Sequence, residues 1–186
     1  MKQQFIISIG REYGSGGRVI AEQLAKTLGV KFYDKNIIEQ IANEKSLNLD
    51  QLKKFDEKAR NIWLSRSVDG HSNSPEDTIA QMQFDFLKEK AESGESFVVL
   101  GRCASYVLRD YDCLIKVFVT SDMHHKMERI ASIEHLDPLK VEDLIINSKE
   151  KWGDSRYYDL IISTSKVGID GAFDVVSNYV KKVIDE

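Results

Sequence analysis

Between residues 10 and 18 the chain reads Gly10, Arg11, Glu12, Tyr13, Gly14, Ser15, Gly16, Gly17, Arg18, with four glycines and two arginines in nine positions. A glycine-rich turn between a strand and a helix N-terminus is suited to one chemistry, the holding of an anion. Its backbone N–H groups converge, and the helix dipole favours negative charge there. A phosphate cradle is the first assignment. The pattern departs from the P-loop motif G-x-x-x-x-G-K-[ST]. With Gly16 as the glycine before the lysine, Gly17 takes the lysine position, Val19 follows Arg18, and no Ser or Thr stands there to hold Mg²⁺. Arg18 is the nearest cation and would meet phosphate as a planar fork. Ser15 adds a hydroxyl contact or serves the turn. A dinucleotide fingerprint, G-x-G-x-x-G, is begun by Gly14 and Gly16, but Val19 replaces its third glycine. Asp34, 20 residues after Gly14, stands where a ribose-binding acid would sit. From the loop alone a mononucleotide phosphate, a dinucleotide and an unliganded turn all stay open.

The elements that must position this loop follow from hydrophobic periodicity. Residues 5–9 are apolar and β-branched, as a buried central strand requires. A helix follows with Ile20, Leu24, Ala25 and Leu28 on one face, and Gly29 ends it. Residues 31–33 form a short strand ending at Asp34. Helices are expected over 36–42, with Asp34 as a possible cap, and over 49–64. Residues 65–76 form the one loop-like shift in composition and the segment expected to be mobile. A helix over 76–93 opens on Pro75 and Glu76. Strands at 96–100, 113–119 and 158–162 alternate with helices near 103–109, 121–134, 138–150 and 170–184. That alternation implies an α/β fold with a mostly parallel sheet covered on both faces. In such sheets ligands bind beyond the carboxyl ends of the strands. Residues 10–18, Asp34, Gly101 with Arg102, and Thr120 with Ser121 should therefore converge.

The 186 residues suit a single domain. With 26 basic and 30 acidic residues the net charge is −4, which argues against a general nucleic-acid binder. No stretch approaches the ~18 apolar residues of a membrane span. Residues 1–4 run into the first strand without the pattern of a signal peptide, and a cytoplasmic location is expected. Cys103 and Cys113 read as free thiols. His124 and His125 are adjacent, so on a helix they point about 100° apart and do not converge on a metal. His71 and His135 have no partners in register, and no metal site is expected. Trp63 and Trp152 read as core or interface residues.

The strings at 10–18, 32–34 and 101–104, with Trp152, Gly153, Asp154, Tyr158, Asp159, Leu160, Thr164 and Ser165, resemble the cytidylate kinase-like family, a branch of the P-loop nucleoside-monophosphate kinases. The likeness runs nearly end to end, and the family carries Gly-Arg where the standard P-loop has lysine. The resemblance implies a three-layer α/β/α P-loop NTPase-like fold with a five-stranded parallel core. It implies ATP at the glycine loop and a pyrimidine monophosphate opposite, and it sets the mononucleotide reading above the dinucleotide one. On it, Gly14, Ser15, Gly16, Gly17, Arg18 and Val19 hold the ATP phosphates, and Arg102 meets the acceptor phosphate bidentately. Asp34 orients the acceptor or a metal-bound water, or simply caps its helix. The resemblance suggests Lys126 and Arg129, three apart on a helix and so on one face, as a cationic pair near the phosphates, with a solvated helix face as the alternative. Arg11 and Glu12 pair with each other or flank the loop, and Tyr13 stacks on a base or packs beneath it. Residues 35–95 would form a helical acceptor-side region, and 138–157 a short lid.

This chain departs from the family at two places. Cys103 stands where cytidylate kinases have an aspartate, and Ser105 where relatives in this branch often have one. The Arg- and Tyr-rich stretch expected before Trp152 is replaced by residues 145–151, a shortened lid that leaves Lys149, Lys151 and Arg156 as cations. The leading expectation is transfer of the ATP γ-phosphoryl to CMP or dCMP, with Arg18, Arg102 and Arg129 catalytic. Mg²⁺ would lean on substrate phosphates. Its rivals are a nucleotide-binding protein with little turnover and an interaction protein that keeps only the fold. A homodimer through 49–64 and 76–93 is one possible assembly.

Overall fold

A computed structural model describes residues 4–34, 37–45, 75–101, 103–134 and 155–185. The chain divides into two compact units, Met1–Phe32 with Ser96–Glu186, and Tyr33–Glu95.

The larger unit is built on β1 (Ile6–Arg11), α1 (Gly17–Leu28), β3 (Phe97–Leu100), α4 (Ala104–Val107), β4 (Leu114–Thr120), α5 (Met123–Glu134), β5 (Leu160–Ser163) and α6 (Thr164–Asp185). With β2 (Lys31–Tyr33) the sheet has five strands in the order β2-β3-β1-β4-β5. β1 runs parallel to β3 on one side and to β4 on the other, and β4 runs parallel to β5. Helices cover both faces, and the expected parallel α/β architecture is present.

The central strands read as continuous apolar runs because both of their faces are covered. Ile7, Ile9, Val98, Leu100, Ile115, Val117 and Val119 alternate onto one face. There they meet Ile20, Ala21, Leu24 and Ala25 of α1 and Ala172, Val176 and Val180 of α6 in one buried cluster. Packing α1 and α6 side by side on this face fixes where α1 starts, and hence where the glycine loop sits. Gly29 ends α1 in the left-handed region at φ 67°, and the Gly29 and Val30 N–H groups satisfy carbonyls of the last turn.

Boundaries shift at several elements. β5 covers Leu160–Ser163, where 158–162 was expected, and α4 is shorter than 103–109. The last helix starts at Thr164, where 170 was expected. Gly168, at φ 68° and ψ −175°, interrupts α6, so the first turn and the longer following part are two helical pieces.

In the smaller unit α2 (Ile37–Lys45) packs on α3 (Pro75–Glu92). The Tyr33 ring meets Phe86 edge-on at 5.4 Å, and its hydroxyl donates to Glu95 Oε1 at 2.6 Å. Asp34 is buried, and its carbonyl accepts the Ile37 N–H that opens α2. The expected helices at 49–64 and 138–150 lie outside the described residues. So do all but the last two positions of the 65–76 segment.

Candidate functional site

The site forms where β1 gives way to α1. Glu12 still pairs with the sheet, its N–H donating to the Val119 carbonyl at 3.0 Å. The chain then turns, and the Ser15 N–H and hydroxyl both donate to the Glu12 carbonyl, at 3.2 and 2.8 Å. Ser15 is therefore a buried turn-former whose hydroxyl is already committed. Gly14 and Gly16 take φ of 80° and 84°, which glycine adopts without strain. Gly16 then caps α1, its carbonyl accepting the N–H groups of Val19 and Ile20.

The N–H groups of Gly14, Gly16 and Gly17 meet no acceptor among the described residues. They stand at the N-terminus of a 12-residue helix with no acidic residue in its first turn. Orphan donors and an unopposed positive dipole end together make an anion site. The residues present thus suit a polyphosphate.

Two helices wall the loop closely. A Cβ on Gly16 would lie 2.8 Å from Ile169 Cδ1 on α6 and 3.2 Å from the Arg129 guanidinium carbon on α5. One on Gly14 would lie 2.8 Å from Ile130 Cδ1 and 3.1 Å from Lys126 Cβ. The buried Thr164 hydroxyl, where β5 meets α6, donates to the Ser15 carbonyl at 2.9 Å. In a trans peptide the carbonyl and the next N–H point opposite ways. Holding the Ser15 carbonyl on Thr164 therefore turns the Gly16 N–H away from it.

The charged residues divide sharply. Arg129 faces Gly16, and burial pushes its pKa down without removing its charge. Arg18 lies on the exposed side of α1 and donates through Nε to Glu22 Oε1 at 2.9 Å. Val19 is exposed beside it. Lys126 is buried and points to Glu12, with Nζ 2.8 Å from Oε2. That oxygen also accepts the Thr120 hydroxyl at 2.8 Å and the Ser121 N–H at 3.3 Å. Burial alone would raise the Glu12 carboxyl. Lys126, Thr120 and Ser121 together outweigh it and hold the pKa below the ordinary value. Lys126 and Arg129 thus share a face of α5, with the Lys126 ammonium on Glu12 and the Arg129 guanidinium against Gly16.

Two arrangements were not legible in the sequence. Glu12 pairs with Lys126, where the sequence offered a pair with Arg11 or a place flanking the loop. Arg11 runs beneath the start of α1 towards β3. A Cβ on Gly17 would lie 2.6 Å from Arg11 Cβ, and one on Gly101 would lie 2.5 Å from Arg11 Nη1. Gly17 and Gly101 were the available signal, since both admit the same side chain. On the opposite sheet face the Tyr158 ring packs on Phe118 at 4.9 Å, tilted by 46°, and its hydroxyl closes over Gly10. Burial raises the Tyr158 pKa, and the neighbouring Cys103 raises it further. Cys103 takes φ 53°, the one non-glycine residue at positive φ among those described.

The ends of β1, β3 and β4 converge as expected, through Arg11 at Gly101 and through Glu12 at Thr120 and Ser121. Asp34 belongs to the smaller unit. Arg156 lies in an exposed turn of 3₁₀ helix, 5.8 Å over the Tyr157 ring. Arg102, Lys149, Lys151 and Trp152 lie outside the described residues. Among those described, no group of three His, Cys, Asp or Glu side chains could hold a metal ion. No described helix is long and apolar enough to cross a membrane.

Solved structures share this architecture. An uncharacterized protein from Eubacterium ventriosum superposes with a TM-score of 0.70 at 31% identity, covering 96% of this chain and 99% of that one. Shikimate kinase from Bacteroides thetaiotaomicron superposes at 0.59 with 14% identity, over 95% and 98% of the two chains, and supports the fold alone. Cytidylate kinase from Pyrococcus horikoshii is 25% identical across 94% of this chain and 88% of its own. That from Pyrococcus abyssi is 26% identical across 92% and 91%. The profile of the cytidylate kinase-like family matches residues 6–166. With a glycine loop, a parallel sheet and a family match over most of its length, this chain belongs to the cytidylate kinase-like family.

Proposed function

We propose that the protein transfers the γ-phosphoryl group of ATP to a nucleoside monophosphate, with CMP or dCMP as the acceptor. The observation that carries this reading is the run of loop amides at Gly14, Gly16 and Gly17 that meet no acceptor among the described residues, with the Arg129 guanidinium against Gly16. Phosphoryl transfer asks the protein chiefly for positioning and for positive charge around the transferred group. The loop amides would hold the donor phosphates, and Arg129 would balance charge developing on them. Arg18 would join after leaving Glu22, an exposed pairing of little strength. Arg102, Lys149 and Arg156 would meet the acceptor phosphate, and Asp34 would orient the acceptor. Mg²⁺ neutralises phosphate charge when it is bound. With no Ser or Thr after the loop, it would rely on phosphates and water for its ligands.

A second reading, nucleotide binding with little turnover, is favoured by one observation. Arg18 and Lys126 are both engaged by carboxylates. ADP formation from Mg-ATP against CMP, dCMP, UMP, AMP and no acceptor separates the two. Turnover that depends on CMP or dCMP supports the kinase. A flat panel with ATP still bound supports the binder.

A further inference from the structure

Glu12 places a carboxylate in the turn that leads from β1 into the glycine loop, where a bare negative charge would disfavour phosphate. The structure answers that charge from α5. The buried Lys126 donates to Glu12 Oε2 at 2.8 Å, and Thr120 and Ser121 donate to the same oxygen. The contact also fixes α5 along the loop, with Lys126 against Gly14 and Arg129, three residues on, against Gly16. We propose that Glu12 and Lys126 are a positioning pair that sets the shape of the glycine loop and places Arg129 over it, and that Lys126 is not itself a phosphate ligand.

The inference deepens the kinase reading and rests on it for the identity of the ligand. Its physical basis is the asymmetry of ion pairs drawn out of water, here with Lys126 buried and Glu12 half-buried. Removing one partner leaves an uncompensated charge, whereas replacing both with neutral groups is far milder. Were Lys126 to leave Glu12 for a phosphate, the Glu12 carboxylate would keep only two neutral donors beside that phosphate. A lysine acting directly on phosphate and a lysine acting through Glu12 therefore differ in how they couple to Glu12.

The test compares the full-length protein with Lys126→Met, Glu12→Gln and the double variant. Calorimetric titration with ATP reads the ligand, and hydrogen exchange of the Ser15, Val19 and Ile20 amides, which are bonded to the Glu12 and Gly16 carbonyls, reads the loop without any ligand. Lys126→Met is expected to raise the ATP Kd by about tenfold or more, and adding Glu12→Gln to bring it back to within about threefold of wild type. Each single variant is expected to speed loop exchange, and the double variant to slow it again. A double variant as weak as Lys126→Met would make Lys126 a direct ligand and overturn the proposal. Unchanged exchange in both single variants would also overturn it. Where Lys126→Met does not fold, Thr120→Val removes one donor from Glu12 and decides the matter. Faster loop exchange with unchanged circular dichroism supports the pair, and unchanged exchange overturns it. A wild-type protein that binds no ATP would sink the kinase reading, while the exchange comparison still decides the role of the pair.

Discussion

Arg18, Lys126 and Arg129, three of the cationic side chains near the glycine loop, have three different fates. Arg18 reaches Glu22 one turn along α1, Lys126 reaches Glu12, and Arg129 is left facing Gly16. Arg129→Ala is therefore expected to weaken ATP binding by about tenfold, close to 1.4 kcal/mol, with the melting temperature little changed. Calorimetry beside a thermal scan checks this. Asp122 shows a different use of charge. It caps α5 by accepting the His125 N–H at 3.0 Å, and it also accepts from the His125 ring and from Ser165. The His125 amide foremost, then its ring, holds the Asp122 pKa at about 2 against an ordinary 3.8. A depressed carboxyl stabilises the fold above its unfolded pKa and loses that contribution as pH falls through its folded pKa. Asp122→Ala should melt below wild type at every pH above about 4, and the gap should narrow as the pH approaches 2. A constant gap across that range would remove the carboxylate from the account.

At the scale of elements, the loop is held by its neighbours more than by its own residues. The start of α6 grips the Ser15 carbonyl through Thr164 and covers Gly16 with Ile169, and α5 closes the other side. Gly168 makes the α6 contact possible. At φ 68° and ψ −175° it occupies a region open essentially to glycine alone, and it lets the helix change course between Thr164 and Ile169. Nothing lies within 4 Å of where its Cβ would be, so a substitution there meets backbone strain without a clash. Gly168→Ala is expected to cost about 1–3 kcal/mol in a denaturant titration. ATP affinity should fall with it, because Ile169 shifts against Gly16. The sequence suggested a helix over about 170–184. The packing of Thr164 onto the loop draws the preceding turn into helix as well.

For the molecule as a whole, the sheet and the loop were legible because each rests on local pattern. The apolar runs at residues 5–9, 96–100 and 113–119, and the spacing of Ile20, Leu24 and Ala25, do not depend on what they meet. The strand ends followed from parallel topology, and Arg11 at Gly101 and Glu12 at Thr120 bear it out. Side-chain partnership was less legible. Lys126 and Arg129 share one helical face, yet a single turn of α5 separates a lysine on Glu12 from an arginine on Gly16. Only the register between α5 and the loop decides which is which. Ser15 likewise offered two uses, and its burial against the Glu12 carbonyl selects the turn. A net charge of −4 leaves the protein unattractive to anions as a body, so any affinity for phosphate must be local to the loop.

That locality makes one titration the most direct test. Mg-ATP is added calorimetrically to wild type and to Gly16→Ala, in which a methyl would lie 3.2 Å from the Arg129 guanidinium carbon and strain a φ of 84°. Saturable binding by wild type, abolished in Gly16→Ala while circular dichroism stays the same, is the predicted result. A wild type that takes up no heat-detected ATP, or a Gly16→Ala protein that binds as wild type does, would contradict the assignment of the glycine loop as the phosphate cradle.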